Sequence, residues 1–271
     1  KGILVELTAT QIKAPLDDQS HYLIAMVDIT ERQHAIERIE RQNEELERAN
    51  EGLSTFAYVA SHDLQEPLRR IRQFVDLLER ECLESLDKDG QYYLSVITGS
   101  AARISYLVKD ILAYTTASNA EIDIKDIHLD DIVSEVVDEA SDQIADKSAN
   151  VVLGKLPSTT GDWGATKLLF QNLLSNGLKY QAADATPRID IKSRTLKKHY
   201  IIDVIDNGIG VNEVKGKSIF DPFMRLHSKF EYTGTGIGLA ICTAVCERMG
   251  WDISYKPNPK GGTIFSIKIP R

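Results

Sequence analysis

A heptad pattern of apolar residues runs through the first part of the chain. One seam position holds Ile36, Asn43, Asn50, Ala57 and Leu64, and the other holds Ile39, Leu46, Leu53 and Ala60. Spacings that alternate between three and four residues predict an amphipathic helix that pairs with another helix. We expect this helix to end at about Cys82. The polar residues Asn43 and Asn50 at seam positions favour a parallel dimer with one fixed register.

A second helix is predicted from about Lys88 to Tyr114, after the turn LESLDKDG. Its apolar seam has the same spacing and consists of Leu94, Ile97, Ala101, Ile104, Val108 and Ile111. Two such helical hairpins, one from each of two chains, would pack as a four-helix bundle. The sequence therefore predicts a homodimer formed through this helical stem.

The pattern of apolar residues differs on the two sides of the stem. Residues 3–10 and 21–29 are β-rich runs joined by a polar loop, which predicts a hairpin. Two strands are too few for a stable fold, so we expect them to pack on a partner or on the stem.

After residue 118 the sequence predicts an α/β sandwich with helices on one face of a mixed sheet. Its expected helices lie near 129–145, 163–182 and 236–249, and its strands near 122–127, 150–153, 188–195, 200–206, 251–256 and 262–269.

Composition limits the class of protein. The 271 residues, 42% of them hydrophobic, are enough for about two domains with a buried core. A formal net charge of −8 argues against nucleic-acid binding through a broad basic surface. Three cysteines without a Cys-x-x-Cys pair indicate a reducing compartment. No run of about 18 apolar residues occurs, so we expect no membrane contact within this segment and a cytoplasmic location. Because the chain begins without Met, we expect a longer protein, in which a sensor or membrane region could precede it.

The segment SHDLQEPL, residues 61–68, places one histidine on the outside of the predicted stem. Counting from Ala57, His62 falls at the f position, opposite the seam. Asp63 follows directly, and its carboxylate could accept the proton of one ring nitrogen, fix the tautomer and serve as a general base. A lone histidine on a helix is more often solvated than reactive, so this segment alone leaves both interpretations open.

The segment NLLSNGLKY, residues 172–180, offers a possible metal site. Asn172 and Asn176 are one turn apart on a predicted helix and therefore share a face. Their carboxamide oxygens could hold Mg²⁺, which keeps several waters and takes other ligands from phosphates. Two polar residues on a wet helix face are the alternative.

Two glycine-containing turns have features that favour nucleotide binding. In IIDVIDNGIG, residues 201–210, a buried strand ends at Asp206, whose carboxylate can accept a hydrogen bond from the exocyclic amine of a base. Gly208 and Gly210 are predicted to adopt positive φ and to let the backbone approach the ring. An ordinary tight turn is the alternative interpretation.

The second turn, GTGIGLAI at residues 234–241, brings three glycines directly before an apolar-periodic helix: Gly234, Gly236 and Gly238. Unpaired backbone amides and the helix dipole make such a helix start a natural phosphate site. The spacing matches neither the Rossmann fingerprint nor a P-loop.

Taken in order, these segments resemble the sensor histidine kinases of two-component signalling, and especially the phytochrome-like and PAS-linked members. Six motifs occur in the family's order over roughly residues 31–271: SHDLQEPL, NLLSNGLKY, DNGIG, FDPFMRL at 220–226, GTGIGL, and GGT at 261–263. The resemblance implies the end of a PAS-like sensor domain in residues 1–30, a dimerisation and histidine-phosphotransfer stem in 31–118, and a Bergerat ATP-binding domain in 119–271.

The resemblance also implies an activity and site residues. The expected enzyme uses ATP and Mg²⁺ to phosphorylate its own His62, and passes the phosphoryl group to an aspartate of a response regulator. By resemblance, Asn176 is the main Mg²⁺ ligand and residues 211–233 form a mobile lid. The other expected nucleotide contacts are Asn172, which supports metal or phosphate, Lys179 and Arg225 at the phosphates, Tyr180 near the adenine, Asp206 at its amine, and Gly210 along its ring.

Two alternatives and one departure accompany the resemblance. A non-kinase ATPase of the same fold would lack the helix pair that carries SHDLQEPL. A degenerate structural dimer would not be expected to keep Asn176, Asp206 and the three glycines. The departure is Glu66, four residues after His62, where many members with phosphatase activity carry Thr or Asn. A carboxylate there would repel a phospho-aspartyl group, so we expect regulator dephosphorylation to be weak. The alternative is that the carboxylate acts as a base on the attacking water.

Overall fold

The computed structural model describes residues 3–13, 20–119, 122–182, 185–211, 219–224 and 234–271. The chain divides into two compact units, Lys1–Thr55 and Phe56–Arg271. The helices are α1 (Thr30–Cys82), α2 (Lys88–Asn119), α3 (Leu129–Glu139), α4 (Ser141–Asp146), α5 (Trp163–Lys179) and α6 (Gly238–Arg248). The strands are β1 (Val5–Lys13), β2 (Ser20–Asp28), β3 (Lys125–His128), β4 (Asn150–Leu153), β5 (Ser158–Gly161), β6 (Arg188–Thr195), β7 (His199–Asp206), β8 (Asp252–Pro257) and β9 (Thr263–Pro270).

The first unit contains the predicted hairpin, in which β1 and β2 pair antiparallel. Hydrogen bonds tie the hairpin to the start of α1. The Asp28 carboxylate accepts from the hydroxyl of Thr30 at 2.6 Å and from its backbone N–H at 2.9 Å. The Thr30 hydroxyl in turn accepts from the N–H of Leu4 at 2.9 Å. The bonds from Thr30 lower the pKa of Asp28 because they favour its charged form.

The second unit begins with a helical hairpin, formed by the C-terminal part of α1 and by α2. The Thr98 hydroxyl donates to Glu79 Oε1 at 2.7 Å across the hairpin. Each helix buries residues at seven-residue spacing: Ser61, Leu68 and Val75 on α1, and Leu94, Ala101, Val108 and Thr115 on α2. Ile97 and Ile104, from the predicted seam of α2, are 49% and 45% exposed. One stripe per helix therefore closes the hairpin, and a second apolar stripe stays uncovered in the single chain.

The rest of the second unit is the predicted α/β sandwich. Its main sheet has the order β4-β6-β7-β9-β8, with β4 and β6 parallel and the other neighbours antiparallel. The helices cover one face, where alternate strand residues such as Ile189, Ile202 and Ile267 are fully buried. Phe170 of α5 packs into the same core. Strands β3 and β5 form a separate pair.

Three sequence predictions in the second unit need correction. The helix expected over 129–145 is interrupted at Ala140 and forms α3 and α4. The segment STTG forms β5, which was not predicted because it lacks an alternation of apolar residues. Helix α2 continues to Asn119, five residues beyond the predicted end, because Ala117 is buried in the core of the sandwich. Within the described residues, none of the helices combines the length and the apolar character needed to cross a membrane.

Candidate active site

His62 lies on the outer face of α1. Its side chain is 73% exposed, whereas the preceding Ser61 is buried in the hairpin. His62 Nδ1 lies 3.2 Å from Asp63 Oδ1, so the carboxylate can accept a proton from that nitrogen. This contact orients the ring and leaves Nε2 as the nitrogen for a reacting group.

Glu66 lies one helical turn after His62 and has its own partner. Its Oε1 accepts a hydrogen bond from Arg70 Nη2 at 2.5 Å, and both side chains are mostly exposed. The negative charge of Glu66 is therefore partly neutralised by the guanidinium group of Arg70. No sequence motif indicated this ion pair.

Helix α5 presents the two asparagines of NLLSNGLKY. The helix begins after Asp162, whose carboxylate caps it by accepting from the N–H of Ala165 at 2.8 Å. Asn172 Nδ2 donates to the carbonyl oxygen of Leu168 at 2.8 Å, which fixes the orientation of its amide. Asn172 Oδ1 then lies 2.8 Å, and Asn176 Nδ2 4.0 Å, from the place that a Cβ at Gly238 would take. Both asparagines therefore face the start of α6, where glycine leaves space.

The end of α5 meets the first glycine of the GTGIG loop. Lys179 Nζ lies 3.2 Å from the Tyr180 hydroxyl and 4.5 Å from the centre of its ring. A side chain at Gly234 would collide with Lys179 Nζ. Further along the loop, Gly236 has φ +80°, a left-handed conformation that favours glycine. The loop can therefore follow the end of α5 closely before α6 begins.

Asp206 stands at the end of β7 and is held by backbone donors. Its Oδ1 accepts from the N–H of Gly208 at 2.9 Å and from that of Thr263 at 3.0 Å. Burial raises the pKa of Asp206, and these two hydrogen bonds oppose the rise. In the part of the chain that the structure describes, no residue donates to the second oxygen, Oδ2, so it can accept from a ligand amine.

The glycines around Asp206 act differently from one another. Gly210 has φ +75°, as predicted. Gly208 does not adopt positive φ, so that prediction is wrong; glycine is needed there because a Cβ would collide with the carbonyl oxygen of Tyr180.

The GGT segment lies against the same aspartate. Gly262 has φ +90°, and a Cβ on it would collide with Asp206. The GGT segment thus packs against the Asp206 carboxylate, and Asn258 Nδ2 adds a 2.9 Å hydrogen bond to the Asp206 carbonyl. No sequence motif indicated a role for Asn258 or Thr263.

These contacts bring most of the predicted nucleotide residues together, from α5, β7, the start of α6 and the β8–β9 turn. Arg225 lies outside the described residues, as do residues 212–218 and 225–233 of the predicted lid. His62 and Asp63 are not among the residues gathered there. Among the described residues, no group of three or more His, Cys, Asp or Glu side chains could hold a metal ion. The amide oxygens of Asn172 and Asn176, together with phosphates and water, are ligands of the kind that Mg²⁺ takes.

Comparison with known proteins identifies the class. Residues 52–120 match the family described as "His Kinase A (phospho-acceptor) domain". Residues 161–271 match "Histidine kinase-, DNA gyrase B-, and HSP90-like ATPase". The two matches together cover about two thirds of the chain. The chain belongs to the sensor histidine kinase family, with a phosphoacceptor helical hairpin followed by an ATP-binding domain.

Particular relatives agree with this assignment. The chain is 34% identical over 246 residues to the phytochrome-like protein Cph1 of Synechocystis, a match that covers 91% of this chain and 32% of that protein. The chain thus spans about a third of the length of such curated relatives. Full-length ShkA, solved in complex with AMPPNP, has a similar fold, with a TM-score of 0.60, 21% identity, and coverage of 80% of this chain and 45% of that one. The histidine kinase ThkA, solved with the response regulator protein TrrA, gives a TM-score of 0.56, 18% identity, and coverage of 98% and 74%.

Proposed function

We propose that this chain is the catalytic part of an ATP-dependent protein histidine kinase, which phosphorylates its own His62 and then passes the phosphoryl group to an aspartate of a separate response regulator. The observation that carries the proposal is the exposed imidazole of His62, with Nδ1 3.2 Å from Asp63 Oδ1. The same chain has a glycine-lined site around Asp206 and Asn176, which supports ATP as the phosphoryl donor.

His62 and Asp63 divide the chemistry between them. The lone pair of His62 Nε2 attacks the terminal phosphorus of ATP, the phosphorus–oxygen bond to ADP breaks, and ADP keeps the electron pair. The ring would become cationic, and Asp63 lowers that cost by accepting the Nδ1 proton. Phosphoryl transfer otherwise depends on alignment and charge neutralisation more than on covalent help.

Each part of the nucleotide would contact a different group of residues in the candidate site. Asp206 Oδ2 accepts from the adenine amine, Tyr180 lies near the base, and Gly208 and Gly210 let the backbone approach the ring. Lys179 and Asn172 lie on the phosphate side. Gly234, Gly236 and Gly238 expose backbone amides at the start of α6, and the resemblance adds Arg225.

We expect a magnesium ion to bind beside Asn176. The carboxamides of Asn176 and Asn172 face a space that Gly238 keeps open. Asn176 would ligate the ion, with phosphates and water as the remaining ligands, and the bound ion would neutralise charge on the phosphates. Asn176→Ala should therefore lose metal-dependent turnover, and a chelator should have the same effect on the wild type.

We further propose a homodimer formed through the helical stem. The uncovered stripe includes Leu64, Ile71 and Phe74 on α1, which are 50%, 45% and 66% exposed. A second copy of the hairpin would bury this stripe. Asn43 and Asn50 would set the register, so replacing both by Ile should raise the thermal stability. A monomer in light scattering at concentrations well above micromolar would contradict the dimer.

Autophosphorylation tests the main proposal. Incubation with Mg²⁺ and γ-labelled ATP should give a protein label that is acid-labile and base-stable. His62→Gln should lose the label while ATP binding, measured by calorimetry, persists. His34→Gln is a matched control, because His34 is an exposed histidine on the same helix. Label retained in His62→Gln would contradict the assignment.

A further inference from the structure

One side-chain pair connects helix α2 to the glycine loop. The Thr235 hydroxyl donates a hydrogen bond to Asp110 Oδ2. The same hydroxyl accepts from the N–H of Ile237 at 3.3 Å, which fixes it relative to the loop backbone. A carboxylate of the stem is therefore bound to the loop that we propose holds the phosphates.

The pair lies at the edge of a larger contact between α2 and α6. Ala117, two turns after Asp110, is 7% exposed and belongs to the core of the ATP-binding domain. Arg248 Nη1 of α6 donates to the carbonyl oxygen of Ala117 at 3.1 Å. Ile111 and Tyr114 pack against the same core. The Asp110–Thr235 bond thus restrains the glycine loop, while the end of α2 anchors the domain.

In this arrangement the ATP-binding domain does not cover the phosphoacceptor. The hydrogen bond between Glu79 and Thr98 sets the register of the hairpin and puts Asp110 about level with Pro67, slightly more than one turn beyond His62. His62 nevertheless remains 73% exposed. Phosphoryl transfer needs reacting atoms about 3–3.5 Å apart, so the glycine loop and its phosphates have to come against the His62 ring, which they do not cover here.

We propose that the Asp110–Thr235 hydrogen bond is an autoinhibitory latch, and that ATP opens it. This inference rests on the proposed function, because it requires residues 234–238 to be the phosphate site. The Asp110 carboxylate lies beside that site and repels a polyphosphate, so nucleotide binding and the latched position oppose each other. By thermodynamic linkage, ATP weakens the latch by the same factor by which the latch weakens ATP binding.

Removing the carboxylate tests the latch. Asp110→Ala should bind Mg²⁺·ATP at least about fivefold more tightly in calorimetry, and should label His62 faster by a similar factor. Asp89→Ala is the matched control, since Asp89 lies on the same helix about 30 Å from Asp110 at 1.5 Å per residue. Equal affinity and rate in Asp110→Ala and wild type would overturn the latch. A wild type that binds no ATP would instead overturn the proposed function.

A cross-link gives an independent measurement. In a Cys82→Ser background, the remaining native cysteines, Cys242 and Cys246, are buried. Asp110→Cys combined with Thr235→Cys should form a disulfide with a mild oxidant, and Mg²⁺·ATP should slow its formation. The oxidised protein should not label His62 until a reductant is added. Labelling at the same rate in the oxidised and reduced forms would overturn the latch.

Discussion

The indole of Trp251 fills the space that a side chain at Gly161 would need. A Cβ at residue 161 would lie 3.0 Å from Trp251 Cζ2 and 2.9 Å from Ile127 Cδ1. Trp251 is 6% exposed and belongs to the core of the ATP-binding domain. Glycine at the end of β5 and the tryptophan directly before β8 therefore form one packing unit, a contact that no sequence motif indicates.

Gly161→Ala should destabilise the ATP-binding domain by about 1–3 kcal/mol, because the added methyl group overpacks a filled core. Thermal or urea unfolding measures the effect. Gly164→Ala is the matched control, since a Cβ there meets only Asp162 Oδ1 at 3.5 Å and adds helix propensity at the start of α5. Equal stability of Gly161→Ala and wild type would show that the core adapts.

Asp206→Asn should stabilise the domain while it weakens ATP binding. Asn keeps an oxygen for the two backbone donors and removes a charge whose burial is unfavourable, for a gain of roughly 0.5–2 kcal/mol. Losing the acceptor for the adenine amine should cost about 10- to 100-fold in affinity. Calorimetry with ATP and GTP measures the loss. Unchanged ATP affinity and adenine preference would contradict the assigned site.

The stability gain in Asp206→Asn should depend on pH in a definite direction. The pKa of Asp206 is raised in the folded state, so wild-type stability is highest below the unfolded pKa and falls as pH rises through the folded pKa. The stability advantage of Asp206→Asn over the wild type therefore increases as pH rises from about 4.

Asp203 on the same strand is the control. Burial raises its pKa, but hydrogen bonds from Arg194 and Ser266 outweigh this and lower it below 3.8. The stability that Asp203→Asn loses relative to the wild type should therefore grow as pH rises through the folded pKa and be fully present above 3.8. Parallel pH profiles for the two variants would contradict both directions.

Asp63→Asn should slow the labelling of His62 by about 100-fold or more, because the carboxylate no longer accepts the Nδ1 proton. ATP affinity should not change, since Asp63 is not among the residues of the candidate nucleotide site. The initial rate with labelled ATP is the measurement, and Asp76→Asn, at an exposed position further along α1, is the control. An unaltered rate would leave Asp63 without a catalytic role.

Glu66→Asn should accelerate the decay of a phosphorylated regulator mixed with this protein. We expect the carboxylate to repel the phospho-aspartyl group, whereas Asn could orient a water. Arg70 moderates this repulsion through its 2.5 Å contact with Glu66, so Arg70→Met should slow the decay further. Rapid decay with the wild type that disappears in Glu66→Asn would show that Glu66 itself drives dephosphorylation.

Several elements could be predicted because local periodicity reports burial directly. Strands β4 and β6 have the predicted bounds, and the end of α1 at Cys82 and the start of α2 at Lys88 are also as predicted. The interruption at Ala140 and strand β5 could not be predicted, since the first depends on how α3 packs and the second on pairing with β3. The role of Gly208 was wrong for a related reason: its constraint comes from the carbonyl of Tyr180, which is distant in sequence.

The sequence by itself determined the family, the order of the domains' motifs and the residue types at the candidate site, because these depend on local spacing and on chemistry that each residue carries alone. The tertiary structure decided which of these groups meet. It brought Asn172 to Gly238, Thr263 to Asp206 and Thr235 to Asp110, contacts that join residues 57 or more positions apart. Such contacts arise from the packing of sheet, helices and stem around a shared core, and no local pattern encodes their geometry.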